Sequence, residues 1–153
     1  MRDITKIIIH CSATPHGRDV RAATIRRWHT APPPVGRGWA DIGYHFVICL
    51  DGTVENGRPL EKMGAHAANH NAYSVGICMV GGGTGGDAIG RYTPAQWQSL
   101  ATLVAELEAR FSGATVIGHR QVESHKTCPN FDVPAWRAGG MAPLADHVLE
   151  ATA

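Results

Sequence analysis

No apolar run in this 153-residue chain approaches the roughly 20 residues that a membrane-spanning helix needs. Apolar stretches such as residues 7–9 and 46–50 stop far short of that, so no membrane insertion is expected. The amino terminus, Met1-Arg2-Asp3-Ile4-Thr5, carries an acid where a secretory signal needs an apolar stretch, and no export signal is expected. Excess charge is also missing. A formal net charge of +1 argues against a protein that binds nucleic acid by charge alone, which needs a concentrated basic face. The basic cluster at residues 18–27 is short and interleaved with apolar residues, and reads as a solvated helix face. Four cysteines are too few for a disulfide scaffold at this length. Three of them, Cys11, Cys49 and Cys78, have apolar neighbours and read as buried free thiols. There is no internal repeat, no linker and no low-complexity segment, which leaves one domain spanning residues 1–153.

What is present alternates between strand and helix signals. Lys6-Ile7-Ile8-Ile9-His10 is consecutively apolar rather than alternating, the mark of a strand buried on both faces. Residues 21–29 read as a short helix that must end before Pro32-Pro33-Pro34. Residues 43–50 read as a buried strand, Asp51-Gly52 as a hairpin turn, and Thr53-Val54-Glu55 as the returning strand. Residues 73–80 form a third strong strand pattern. The Gly-rich stretch at residues 81–86 lacks the Gly-Lys-Ser/Thr ending of a phosphate loop and reads as a flexible, hairpin-like surface connection. Thr93-Pro94-Ala95-Gln96 is a capping box with proline at the first helical position. Trp97, Leu100, Val104, Leu107 and Phe111 follow as one apolar stripe, and Gly113 stops the helix. Thr115-Val116-Ile117-Gly118 is a short strand, and Asp132-Val133-Pro134 opens a capped helix. These elements predict a mixed α/β (α+β) fold, a single domain with a central mixed sheet flanked by helices.

Nine histidines make any single one uninformative. More telling is where three metal-capable residues fall. His10 ends a buried strand, His119 follows the strand at residues 115–118 directly, and Cys128 lies in the loop beyond. Strand ends in a mixed sheet can converge on one edge. Two imidazoles and one thiolate there would hold zinc with a fourth position open, the pattern of a catalytic site. The local zinc signatures Cys-x-x-Cys and His-Glu-x-x-His are absent, so spacing leaves these three as candidates only. Lys126, two positions before Cys128, points the same way if the backbone is extended, and is otherwise a surface lysine. Tyr44 opens a buried strand, where a phenol is commonly part of the core.

At these residues the chain resembles the type-2 N-acetylmuramoyl-L-alanine amidases, in particular the phage lysozyme-like amidases, which share a fold with the peptidoglycan recognition proteins. The resemblance rests on Ile8-Ile9-His10-Cys11-Ser12-Ala13-Thr14, Ile25-Arg26-Arg27-Trp28-His29, Ile42-Gly43-Tyr44-His45-Phe46-Val47-Ile48 and Asp51-Gly52-Thr53-Val54. It continues through Gly64-Ala65-His66-Ala67, Ser74-Val75-Gly76-Ile77-Cys78, Thr93-Pro94-Ala95-Gln96 and Cys128-Pro129-Asn130-Phe131-Asp132. These stretches run in family order from about residue 4 to residue 137, and the tail at 138–153 has no counterpart. The stretch at residues 31–38 is longer and richer in proline than the family pattern, and is expected to reshape one wall of the cleft.

The resemblance implies one Zn²⁺ per chain held by His10, His119 and Cys128, with Tyr44 and Lys126 as catalytic residues. His66 is implied as a cleft residue that contacts substrate, or else a structural histidine. The implied reaction is hydrolysis of the amide between N-acetylmuramic acid and L-alanine in peptidoglycan, by a phage or prophage endolysin. Such an enzyme is expected to collect in the cytoplasm and reach the wall after a separate pore protein opens the membrane. Three alternatives stay open at this level: a non-catalytic peptidoglycan-binding module, a cytosolic muropeptide-recycling amidase, and an interaction protein that inhibits a polymerase or other partner. No surface for such a protein partner is legible in the sequence.

Overall fold

The computed structural model describes residues 1–84 and 89–150. Its elements in chain order are β1 (Lys6–Cys11), α1 (Ala22–Thr30), β2 (Phe46–Ile48), β3 (Val54–Asn56), β4 (Ser74–Met79), α2 (Pro94–Arg110), β5 (Thr115–Gly118) and α3 (Val133–Ala138). The five strands form one mixed sheet in the order β3-β2-β4-β1-β5. β1 lies parallel to both β4 and β5, β2 is parallel to β4, and only the β2–β3 hairpin is antiparallel.

Two apolar layers sandwich this sheet. Ile7, Ile9, Val75, Ile77 and Met79 pack with Trp97, Leu100, Leu107 and Trp136, which places α2 and α3 on one face. Val47 and Cys78 pack with Val20, Ala22 and Ile25, which places α1 on the other. Side chains alternate along a strand. Ile7, Ile9 and Cys11 therefore belong to the α2 face, and Ile8 and His10 turn toward the α1 face. Burying an ionisable ring at the end of β1 thus follows from the position of His10 in the strand.

The capping box at the start of α2 is formed as the sequence predicts, with Gln96 N–H donating to Thr93 Oγ1 and Thr93 N–H donating to Gln96 Oε1. Gln96 also ties the sheet, donating from Nε2 to the carbonyls of Ile48 and Val80. The expected strand at 43–50 is shorter, because residues 43–45 bond outward to other segments. Ala65 N–H reaches Gly43 O, Arg58 N–H reaches Tyr44 O, and His45 N–H reaches Gly76 O. Tyr73 closes a 3-10 turn (Asn71–Tyr73) rather than opening β4.

The Gly-rich connection differs from its sequence reading where it is described. Gly81, Gly82 and Gly83 are buried, all with positive φ, and Gly82 bridges to Thr14. A Cβ on Gly82 would lie 2.5 Å from Cys11 Sγ, so only glycine lets this backbone pack against β1. Residues 85–86 of that stretch lie outside the described residues. The tail also has a place. Leu149 N–H bonds Tyr92 O, Tyr92 N–H bonds His147 O, and Trp97 Nε1–H donates to His147 O. The segment after α3 therefore folds back over the start of α2.

Candidate metal centre

β1 and β5 are adjacent, parallel strands with Ile9 opposite Gly118. The residue after each of this pair is a histidine, so His10, still within β1, and His119, just past β5, stand side by side. Their ring centroids are 4.4 Å apart. Cys128 arrives from the following loop, which closes through Arg120 N–H donating to Cys128 O. Cys11 N–H in turn donates to Cys128 Sγ at 3.0 Å. The metal-capable atoms of His10, His119 and Cys128 lie within 4.8 Å of one another, the only such group of three among the described residues.

The electrostatics of these groups favour neutral imidazoles. Burial pushes His10 well below its ordinary value, with further lowering by His66 and His119. His119 is also lowered, chiefly by burial. Its Nε2 is buried with no hydrogen-bond partner, and Glu123 Oε1 stands 3.4 Å away without completing a bond. The Cys11 sulfur, and then burial, push the Cys128 thiol well above its usual range. A buried imidazole nitrogen with no completed hydrogen bond beside a thiol that resists ionisation is costly. A divalent cation removes both problems, because it takes imidazole lone pairs and deprotonates a coordinating thiol. Two nitrogens and one sulfur suit zinc with a position left open, so the residues present fit that ion.

The trio lines a cleft of about 710 Å³ that is also lined by Tyr44, His66, Trp39, Glu123 and Lys126. Tyr44, from the segment leading into β2, is partly buried, with its ring 5.2 Å from that of His10. Burial keeps its phenol well above the usual range and hence protonated. Lys126 is exposed and also lines the cleft, in a loop turned by its own N–H bonding Glu123 O. The structure therefore gathers all six residues singled out from the sequence around one cavity. His66 is the most enclosed after His10. Its Nδ1 meets His10 Nε2 at 2.8 Å and its Nε2 meets Ser74 Oγ at 3.2 Å.

Other cleft groups were not singled out from the sequence. Gly43 N–H donates to His29 Nδ1, which holds that ring between Tyr44 and Trp39 and leaves it neutral, at about 4, through burial first and then Arg37 and Arg58. Glu123 lies four residues beyond His119, a spacing that could have drawn attention to it. The stretch at 31–38 folds back onto the end of α1, through Gly38 N–H to Ala31 O and Trp39 N–H to His29 O. It carries Arg37 to within 5.0 Å of the Trp39 ring, where the pair forms part of the cleft lining.

Comparison with known proteins gives this geometry a context. A family profile described as N-acetylmuramoyl-L-alanine amidase matches residues 1–131. The endolysin of Escherichia phage T7 is 44% identical over 131 residues, covering 85% of this chain and 83% of that protein. The endolysin of Klebsiella phage KP32 is 40% identical over 147 residues, covering 95% and 93%. Among solved structures, the N-acetylmuramoyl-L-alanine amidase LysC from Clostridium intestinale URNW superposes with a TM-score of 0.73 at 28% identity, over 89% of this chain and 83% of that one.

Proposed function

The chain belongs to the N-acetylmuramoyl-L-alanine amidase family, and on that footing we propose that it is a zinc-dependent endolysin using His10, His119 and Cys128 as ligands and Tyr44 and Lys126 as catalytic residues. It is an amidase of the phage endolysin kind, and its substrate is peptidoglycan. The bond it cuts joins the lactyl group of N-acetylmuramic acid to L-alanine. The observation that carries the finer reading is the convergence of two strand-end histidines and one cysteine within 4.8 Å in the lining of an open cleft.

An amide is a weak electrophile with a poor leaving group. Zinc, when bound, polarises a carbonyl and lowers the pKa of water toward about 7. The chain's own residues do the rest. Tyr44 stands over His10 and keeps its proton, so its hydroxyl can orient a water or donate to the substrate carbonyl. The Lys126 ammonium in the cleft lining supplies positive charge where the carbonyl oxygen becomes an oxyanion, a contact worth more in the transition state than in the ground state. Trp39, with Arg37 stacked on it, offers a flat apolar face and a cation to the glycan-peptide.

None of the helices among the described residues is long and apolar enough to cross a membrane. We place the site of action at the wall, reached after release from the cytoplasm. Digestion of purified sacculi tests the reading, with the new ends identified by mass. Amidase action yields stem peptides with a free L-alanine amine and glycan strands with intact lactyl carboxylates. New reducing sugar ends, or cuts within the peptide, would overturn it.

A further inference from the structure

We infer, resting on the proposed metal centre, that His66 is a positioning residue that sets the tautomer of His10, with Ser74 ending the chain. The three side chains are buried, at 1%, 9% and 0% exposure for His10, His66 and Ser74. They are linked in series. His10 Nε2 meets His66 Nδ1 at 2.8 Å, and His66 Nε2 meets Ser74 Oγ at 3.2 Å.

A neutral imidazole has one N–H donor and one bare nitrogen. This series can therefore be wired in two senses. In one, His10 Nε2–H donates to His66 Nδ1, and His66 Nε2–H donates to Ser74 Oγ. In the other, Ser74 O–H donates to His66 Nε2, and His66 Nδ1–H donates to His10 Nε2. The second sense leaves the proton of His10 on Nδ1. Since His10 Nε2 is taken up by His66, Nδ1 is the nitrogen left to face a cation, and it binds only when bare. Only the first wiring is compatible with zinc. His66 thus acts through His10, as the hydrogen-bonded partner that fixes a ligand's tautomer and ring orientation.

The surroundings hold His66 in this place. The ring lies against Gly76 of β4, where a Cβ would come within 2.6 Å of its Cγ and Cδ2. The backbone N–H groups of His66 and Ala67 both donate to Asn71 Oδ1 at 2.9 Å. With both ring nitrogens engaged, His66 has no free polar atom for substrate.

The test has readouts besides activity. In histidine-labelled protein, long-range ¹H–¹⁵N spectra of the zinc-loaded form should show His66 protonated on Nε2 and bare on Nδ1. His66→Phe fills the space but removes the acceptor. It should lower zinc affinity by about 10–100-fold in chelator competition and shift the visible spectrum of the cobalt-substituted protein. His66→Gln can accept from His10 through Oε1 and should recover most of both, and Ser74→Ala should show a smaller loss than His66→Phe. A zinc-loaded His66 protonated on Nδ1 would overturn the inference, as would parental zinc affinity and cobalt spectrum in His66→Phe. If His66→Phe does not fold, the labelled parental protein and His66→Gln decide. Absence of zinc binding by the parental protein would instead remove the metal centre itself.

Discussion

The backbone N–H of Cys11 donates to the sulfur of Cys128 at 3.0 Å, across 117 residues of chain. One strand end thus supplies both a ring, from His10, and the amide that seats the sulfur of the third candidate ligand. A thiolate accepts that N–H more strongly than a thiol does, so the contact favours the form of Cys128 that the proposed zinc would require.

From this follows the expected metal stoichiometry. The purified protein should hold one zinc per chain by elemental analysis. His119→Ala should lose most of the metal and nearly all activity on sacculi. Cys128→Ser should weaken binding, because serine offers a hard, protonated oxygen in place of a thiolate. A carefully purified parental protein without zinc, and unresponsive to added zinc, would refute the centre.

Lys126 and Tyr44 should be needed for turnover and dispensable for the metal. Losing one charged oxyanion partner in Lys126→Ala should lower kcat on the order of 10²–10³-fold. Tyr44→Phe keeps the ring against His10 and removes only the hydroxyl, so its melting temperature should stay near the parental value. Both variants should be folded, zinc-loaded and nearly inactive. Near-parental rates in both would show that neither residue acts on the reacting amide.

The cysteines are free, with Cys11, Cys49 and Cys78 buried. Burial, then Glu55, pushes the Cys49 thiol up to about 12, and burial pushes Cys78 well above its ordinary value. Since the thiolate is the reactive form, both should resist a thiol reagent at pH 8 in the native protein and react at once on unfolding. Denatured without reductant, the protein should take up four alkyl groups per chain. A mass two hydrogens short would reveal a bridge.

His45 supplies a pH prediction. Gly76 N–H donates to its Nδ1, so its proton sits on Nε2, which faces Lys62 O. Burial brings it down to about 4, against an ordinary 6.5. The unfolded chain therefore binds the extra proton between those values and the folded chain does not. This contribution to stability is complete above about pH 6.5 and is lost as pH falls toward about 4. In chelator-treated protein, the melting temperature should fall across that window. His45→Asn, whose Oδ1 can still accept from Gly76, should flatten the slope. An unchanged slope would mean that His45 is not one of the groups responsible.

Much of this molecule was determined locally and is legible in the sequence. The consecutive isoleucines of β1, the capping box of α2 and the Asp132 cap of α3 are set by neighbours a few residues away, so periodicity and capping chemistry reveal them. The likeness of the His10, Tyr44 and Cys128 segments to an amidase family is likewise carried by short stretches. What the tertiary structure alone decided is which distant segments meet. The parallel pairing of β5 against β1, with Ile9 opposite Gly118, brings His119 beside His10. No periodicity records that register, because the partner strand lies about a hundred residues away. The burial of Gly81–Gly83 against Cys11 and the return of the tail onto Tyr92 have the same character. So does the place of His66. The family likeness marks it only as a cleft residue or a structural histidine, and it becomes the partner of His10 because a glycine on β4 leaves room for its ring.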